Sequence, residues 1–281
     1  MTITMFLHIG CVQEELSQNW QLDRTRILAA QAEPAEAKPG ELVRFQSFVY
    51  SPQHIESVVW FACLPESASD FGCSIDPSLL ESMQSDDEPD FNALLEAGFA
   101  GAEPAFPASW TAPEDALEGL SEAQSNDGLS AFVTLSAIPQ DADENTEIEV
   151  AYKRFPISSS STPNQNPVVD SLSIDDVVYS QEDVFVATAG QTYTISPNFS
   201  AEHVETYSFL NREGIYEERT EEPYFSWFTD CGLFDQPLSL HPYNDVEWTA
   251  PSVPLTGKVI TIMRDRRGGI AWSWINVEVS P

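Results

Sequence analysis

The chain has no long apolar run and few basic residues. No stretch approaches the roughly 18 consecutive apolar residues that a transmembrane helix requires. Only 12 lysines and arginines stand against 45 aspartates and glutamates, so the formal net charge is −33 at pH 7. So negative a surface repels phosphate backbones and anionic lipid headgroups. We therefore expect no nucleic-acid partner, and contact with a membrane only through an N-terminal lipid.

Signatures of catalysis are also missing from the sequence. The chain contains no Gly-x-Ser-x-Gly nucleophile elbow and no glycine loop that would cradle a phosphate. Paired carboxylates, which glycoside hydrolases use, arise inevitably at this density of acidic residues and indicate little. We expect a protein that is not an enzyme.

Metal-binding patterns are sparse. No Cys-x-x-Cys or Cys/His zinc spacing occurs, and the four histidines lie far apart. Oxygen ligands at alternate positions, Asp141, Asp143 and Asn145, resemble the start of a calcium loop. The pattern then ends, because Thr146 stands where that loop needs glycine and Tyr152 where it needs glutamate. We expect no cofactor, and a solvated turn here with a weak calcium site as the alternative.

Cysteine is scarce, but two of the four cysteines bracket a short loop. Cys63 and Cys73 enclose a segment that contains proline and glycine. This spacing favours a disulfide that closes a hairpin, and hence an oxidising compartment. Cys231 follows Trp227 in an expected core strand, and we predict that it is a buried free thiol.

Another cysteine, Cys11, follows a short apolar run and Gly10. The pattern resembles the end of a bacterial lipoprotein signal, in which Cys11 would become the lipidated first residue. It departs from that signal at His8, where leucine is usual, and in having no basic segment. We interpret residues 1–11 as a leader or signal remnant and residues 12–24 as a tether; the alternative is a leader whose cysteine is incidental. The protein would then be exported, and either anchored at the outer membrane or cell surface or extracellular.

An internal repeat divides the chain. The tetrapeptide Trp-Thr-Ala-Pro occurs at residues 110–113 and 248–251, and a Trp-Phe pair that begins at Trp60 or Trp227 precedes each copy. The tryptophan of the Trp-Phe pair and that of the tetrapeptide are 50 residues apart in the first half and 21 residues apart in the second. The first half therefore carries an insertion. Because 281 residues exceed one ordinary sandwich, the repeat predicts two domains.

Both halves show the period-two alternation of antiparallel strands with one buried face. We expect strands at residues 42–50, 131–137, 148–152, 191–196, 258–263 and 270–279. Asp-Arg-Arg-Gly-Gly at residues 265–269 is a hairpin signal between the last two strands. A Pro-Gly turn, a strand with a central tryptophan and a terminal hairpin favour an immunoglobulin-like β-sandwich in each half, with Trp60 and Trp227 in the cores.

The insertion, residues 74–128, contains two helix candidates. One covers residues 91–99. The other covers residues 115–124, which Thr111 and Glu114 would open as a capping box.

The domain boundaries follow from these features. Residues 158–167 are rich in serine, proline and asparagine, a composition that cannot pack and is typical of a linker. The first sandwich would span residues 25–157 and the second residues 168–281.

Several of these features together resemble surface lipoproteins of Gram-negative bacteria that carry tandem immunoglobulin-like domains. They are the Gly10-Cys11 leader, the entry segment Ala-Glu-Pro-Ala-Glu-Ala-Lys-Pro-Gly-Glu at residues 32–41, the Trp-Thr-Ala-Pro repeat and the Arg-Asp-Arg-Arg-Gly-Gly hairpin. The resemblance is one of layout and covers most of the chain. It implies surface exposure, with adhesion or scaffolding as the function, and transfers no functional residue.

The last strand carries the candidate ligand site. Trp272, Trp274, Asn276 and Glu278 share one face of this strand, opposite a face of core residues. Two outward tryptophans beside polar groups would suit sugar-ring stacking or a protein partner. The alternatives are a register flip at the glycines of the hairpin, or coverage of the pair by the first domain. We expect binding or scaffolding of a protein or glycan at the cell surface, with a carbohydrate-binding module associated with an exported enzyme as the alternative.

Overall fold

The computed structural model of the chain describes residues 18–69, 72–76, 79, 90–140, 142, 146, 148–211 and 213–281. The predictions for Cys11 and for the calcium candidates Asp141, Asp143 and Asn145 lie outside the described residues.

Strands form most of the regular structure. They are β1 (Arg26–Glu33), β2 (Leu42–Tyr50), β3 (Ile55–Cys63), β4 (Ala68–Ser69), β5 (Gly72–Cys73), β6 (Phe99–Glu103), β7 (Ser109–Thr111), β8 (Leu129–Pro139), β9 (Glu149–Ile157), β10 (Ser171–Ile174), β11 (Val177–Ser180), β12 (Val184–Thr188), β13 (Thr192–Asn198), β14 (Thr206–Leu210), β15 (Tyr216–Thr220), β16 (Tyr224–Thr229), β17 (Leu233–Phe234), β18 (Leu238–Leu240), β19 (Val246–Thr249), β20 (Thr256–Arg264) and β21 (Ile270–Ser280). The short helices α1 (Phe91–Glu96) and α2 (Glu122–Asp127) and the 3-10 turns Pro65–Ser67 and Ala201–His203 accompany them. The prediction of an all-β chain is confirmed.

The N-terminal half forms a three-stranded sheet, in the order β1-β2-β7, and a four-stranded sheet, in the order β6-β3-β8-β9. Burial alternates along β2, where Val43 and Phe45 are buried and Arg44 is exposed, as the period-two pattern predicts. Phe45 stacks on Trp60 of β3 with ring centroids 5.6 Å apart. Trp60 is fully buried, so the predicted core tryptophan of this half is confirmed.

The C-terminal half forms two five-stranded sheets, in the orders β11-β10-β13-β19-β17 and β12-β21-β20-β16-β18. All their pairings are antiparallel except that of β12 with β21, which is parallel. Trp227 of β16 and Trp248 of β19 are both fully buried in the core of this half. The predicted core position of Trp227 is therefore confirmed as well.

Both halves share a strand order. In each half the strand that bears the central tryptophan, β3 or β16, pairs with the penultimate long strand, β8 or β20, which pairs with the last, β9 or β21. This is the arrangement of strands C, F and G in an immunoglobulin sandwich. In the C-terminal half the opposite sheet also has the A-B-E-D order of that fold, formed by β10, β13, β19 and β17.

The second helix candidate was placed wrongly. Residues 114–119 form successive turns, and α2 begins only at Glu122. Thr111 cannot cap a helix because it is the last residue of β7 and pairs with Leu42. The capping box lies instead at Ser121 and Gln124, whose side chains each accept a hydrogen bond from the other's backbone N–H.

The other helix candidate corresponds to α1, which Asp90 caps by accepting the N–H groups of Asn92 and Ala93. No helix within the described ranges is long and apolar enough to cross a membrane.

The segment between the halves, residues 158–167, has no regular structure, but it is packed. Ser158 and Asn164 are buried, and the backbone N–H of Asn164 donates to Glu36 Oε2 at 2.7 Å. Its side chain donates to Asp265 Oδ2 of the C-terminal half at 2.9 Å. The expectation that this composition cannot pack is wrong for Ser158 and Asn164, because Glu36 and Asp265 accept hydrogen bonds from their donor groups.

The end of the predicted tether is also packed. Residues 20–22 exchange backbone hydrogen bonds with the end of β16: Leu22 N donates to Thr229 O, and Thr229 N donates to Trp20 O. The Trp20 ring lies in the core of the C-terminal half, edge-on to Phe234 at 5.8 Å. The chain therefore begins its described course on the C-terminal half before it enters β1 of the N-terminal half.

Candidate functional site

The two predicted disulfide cysteines are bonded, which confirms this prediction. Cys63 ends β3 and Cys73 ends β5, with Cα atoms 5.7 Å apart. Both are buried beside Phe61 and Leu94, the latter a residue of α1. The bond therefore fastens the start of the insertion to the sheet.

Cys231 is buried and free, as predicted, but it lies in the turn after β16 rather than in the strand. Burial raises the pKa of its thiol to about 11. The thiol thus stays protonated and poorly nucleophilic at neutral pH.

Trp272 and Trp274 lie on the predicted face of β21, where Phe48 of the N-terminal half packs against them and both remain half-buried. Their rings lie 5.9 and 5.1 Å from the ring of Phe48, a residue of β2. Cross-strand neighbours Ile262 and Ile260 of β20 belong to the same apolar cluster and are fully buried. The N-terminal half therefore covers this pair in part, which agrees with one of the alternatives to an open ligand site.

Asn276 lies farther along the same face, and its amide has local partners. Its Oδ1 accepts from Lys258 Nζ at 2.8 Å, and its Nδ2 donates to the carbonyl of Glu182 at 2.8 Å. The structure brings Trp272 and Trp274 together around Phe48 and leaves Asn276 outside this aromatic cluster. Whether these side chains bind a ligand stays a prediction.

A second contact between the halves is ionic and centres on Arg267, in the β20–β21 turn. Its guanidinium lies 3.0 Å from Glu205, 3.1 Å from Glu221 and 3.5 Å from Glu36 of the N-terminal half. Burial raises the pKa of Glu221, an effect that the Arg267 charge and its hydrogen bond partly oppose. A buried cation surrounded by carboxylates is costly to separate, because each group would be left without a partner.

Asp265 shapes the turn that presents Arg267. Its Oδ1 accepts the backbone N–H groups of Arg267, Gly268 and Gly269 at 2.7, 2.9 and 2.9 Å. Burial raises the pKa of this carboxyl, and these hydrogen bonds together with the one from Asn164 act in the opposite direction. A side chain at Gly269 would overlap Asp265, which explains the glycine at this position.

Sequence reasoning missed this junction almost entirely. The Asp-Arg-Arg-Gly-Gly segment predicts a turn, but a turn so rich in arginine within so acidic a chain also indicates a carboxylate partner. In the described part of the chain, no group of three or more His, Cys, Asp and Glu side chains is placed to hold a metal ion.

Comparison with known proteins gives no family. No family model matches the chain, and no curated protein does. Solved structures that align include the fibronectin(III)-like modules of CbhA from Clostridium thermocellum, at 8% identity over 90% of this chain and 94% of that one, with a TM-score of 0.24. The D0-D1 domain of intimin aligns at 12% identity over 90% and 96%, with a TM-score of 0.22, and murine CEACAM1b at 10% over 92% and 100%, with 0.24. We transfer no property from these proteins, because TM-scores this low do not establish a common fold.

Proposed function

We propose that this protein is a non-enzymatic scaffold, exported to the cell surface, in which two tandem immunoglobulin-like domains are held as one rigid body. The domains are residues 25–157, with the helical insertion, and residues 168–281. The observation that carries the proposal is the junction between the halves. A scaffold needs a fixed geometry between its domains, and tandem domains joined by a small interface would move.

The division into tandem domains is supported by the positions of the repeat. Trp110 lies on β7, which pairs with β2, and Trp248 lies on β19, which pairs with β13. In each half the strand on which the tetrapeptide begins thus pairs with the strand that also pairs with the first strand of that half, β1 or β10. Equivalent positions in both halves are what duplication of one domain would leave.

Three separate contacts support a rigid junction. Trp20 lies in the C-terminal core and leads directly into β1, so the entering chain bridges both halves. Phe48 packs on Trp272 and Trp274, and Arg267 reaches Glu36. Apolar burial combined with buried ionic contacts opposes both sliding and separation.

Burial of the tryptophans favours a scaffold over a carbohydrate-binding module. All seven tryptophans are described: Trp20, Trp60, Trp227 and Trp248 are buried, and Trp110, Trp272 and Trp274 are half-buried beside neighbouring aromatic rings. Sugar rings stack on aromatic faces that solvent can reach, and contacts with Phe48 and Phe155 reduce the open face of these three rings.

Rigidity is tested by residual dipolar couplings of the ¹⁵N-labelled protein. A rigid body gives one alignment tensor for both halves, whereas tensors that differ in magnitude would contradict the proposal. Phe48→Ala removes the aromatic contact, and we expect the tensors of the two halves to separate in this variant. Phe106→Ala, at a side chain that is 53% exposed, serves as the matched control and should retain a single tensor.

Export and anchoring are tested by mass spectrometry of the mature protein isolated from its native membranes. We expect a chain that begins at Cys11 and carries a diacylglycerol mass, together with the Cys63–Cys73 disulfide. An unmodified N-terminus in the soluble cell fraction would contradict this part of the proposal.

A further inference from the structure

A cavity of about 360 Å³ opens where β1, β9 and the β20–β21 hairpin meet. Its apolar lining comes from Ile27, Leu28, Ala29, Ala30, Ala151 and Ile270. Lys153, Arg154, Arg264 and Arg266 also line it. A third of the chain's 12 basic residues therefore border one cavity in a protein of net charge −33.

Two of these cations, Lys153 and Arg264, are partly buried without an anionic partner. Among the described residues, no carboxylate oxygen lies within 4.0 Å of either charged group. Lys153 Nζ donates to the carbonyl of Gly268 at 2.6 Å, and Arg264 donates to Leu28 O and Ser226 Oγ at 3.0 Å each. Each side chain retains further N–H donors, since an ammonium has three and a guanidinium five.

Desolvation makes the charged form of Lys153 costly in the folded protein. It lowers the pKa of Lys153 to about 8; the charge of Asp265 acts against this shift, and that of Arg264 adds to it. A cation kept in such a place without a paired anion is destabilising for the empty protein. Perturbed groups of this kind concentrate at binding sites, where a ligand compensates for their cost.

We propose that this cavity binds a small organic monocarboxylate, with the carboxylate at Lys153 Nζ and the Arg264 guanidinium and the apolar body against Ala29, Ala30 and Ala151. A planar carboxylate matches the fork of a guanidinium. The apolar lining favours an organic acid over phosphate or sulfate, which need polar donors on every side. The volume, far above the roughly 30 Å³ share of one water molecule, leaves room for such a body.

Binding can be followed by NMR at individual lysines, because the chain contains only three, Lys38, Lys153 and Lys258. Lysine labelled with ¹³C at Cε gives one signal for each. With benzoate as the probe, we expect the Lys153 signal to shift saturably and its pKa to rise above about 8, while the Lys38 and Lys258 signals stay in place. Because only the protonated amine pairs with a carboxylate, benzoate affinity should fall roughly tenfold or more between pH 7 and pH 9.5.

Benzamide, the uncharged analogue, and inorganic phosphate are the competing probes. A Lys153 signal that benzoate does not move would overturn the proposal. Equal shifts with benzamide would mean an apolar cavity without anion selectivity, and tighter binding of phosphate would mean an oxyanion site; either result contradicts the assignment.

Variants provide an independent test. Lys153→Met should abolish the binding of benzoate measured by calorimetry. Lys258→Met removes a lysine that does not line the cavity and that donates to Asn276 instead, and this variant should bind benzoate as the wild type does. Equal affinity in the two variants would refute the site.

Discussion

Arg267 and Lys153 are both cations at the junction, but only Arg267 is paired with carboxylates. Arg267 lies within 3.5 Å of three carboxylates, so its burial is compensated by charge. Lys153 has only the Gly268 carbonyl and a more distant Asp265, so most of its desolvation cost is retained. The same low dielectric that strengthens the first arrangement makes the second destabilising.

This difference predicts that Lys153→Met stabilises the empty protein. The lowered pKa means that the folded state disfavours the ammonium, so the penalty is fully present below about pH 8 and disappears as the pH rises towards 10.5. At pH 7 we expect the free energy of unfolding to increase by about 1–2 kcal/mol, less than the whole shift because the Gly268 hydrogen bond is lost.

Urea unfolding at pH 7 and pH 10 measures the effect, with Lys258→Met as the control. The gain in stability should be largest at pH 7 and small at pH 10. A variant that is less stable than the wild type at both pH values would show that the Gly268 contact matters more than desolvation does.

At the scale of elements, strands were predictable and the contacts between distant elements were not. Period-two alternation placed β2 correctly and found β8, β9, β13, β20 and β21 with ends displaced by a few residues. The faces of β21 were also assigned correctly, since Ser273 and Ile275 are buried. Alternation reports which side of a strand is apolar, and this local signal suffices for strands.

The junction depends on partners far apart in the chain, which no local pattern specifies. Phe48 and Trp274 are separated by more than 200 residues, and nothing in the sequence pairs them. The segment 158–167 is polar because it meets Glu36 and Asp265, but the same composition describes a solvated linker. The start of α2 was misplaced for a related reason: Thr111, which suits a cap, is held by pairing with β2.

At the scale of the whole molecule, the excess of acidic residues opposes the compact state. A net charge of −33 at pH 7 is spread over a chain of 281 residues, and folding brings these like charges closer together. The junction concentrates much of the available positive charge, because Arg267 and the cavity cations lie on the seam between the halves. Most of the remaining surface therefore has few local counter-charges.

Self-repulsion predicts that salt stabilises the fold. The Debye length falls from about 30 Å at 0.01 M to 3 Å at 1 M ionic strength, so NaCl screens repulsion between exposed carboxylates across the molecule. The Arg267 contacts are mostly shielded from solvent and should weaken less. We expect the free energy of unfolding to increase by about 1–2 kcal/mol across this range, which would raise Tm by roughly 2–8 °C. Thermal melts from 0.01 to 1 M NaCl measure it, and sucrose at equal osmolality controls for stabilisation by exclusion of solute from the surface. If Tm stays constant across this range, or if sucrose reproduces the whole gain, repulsion between carboxylates does not limit the stability of this protein.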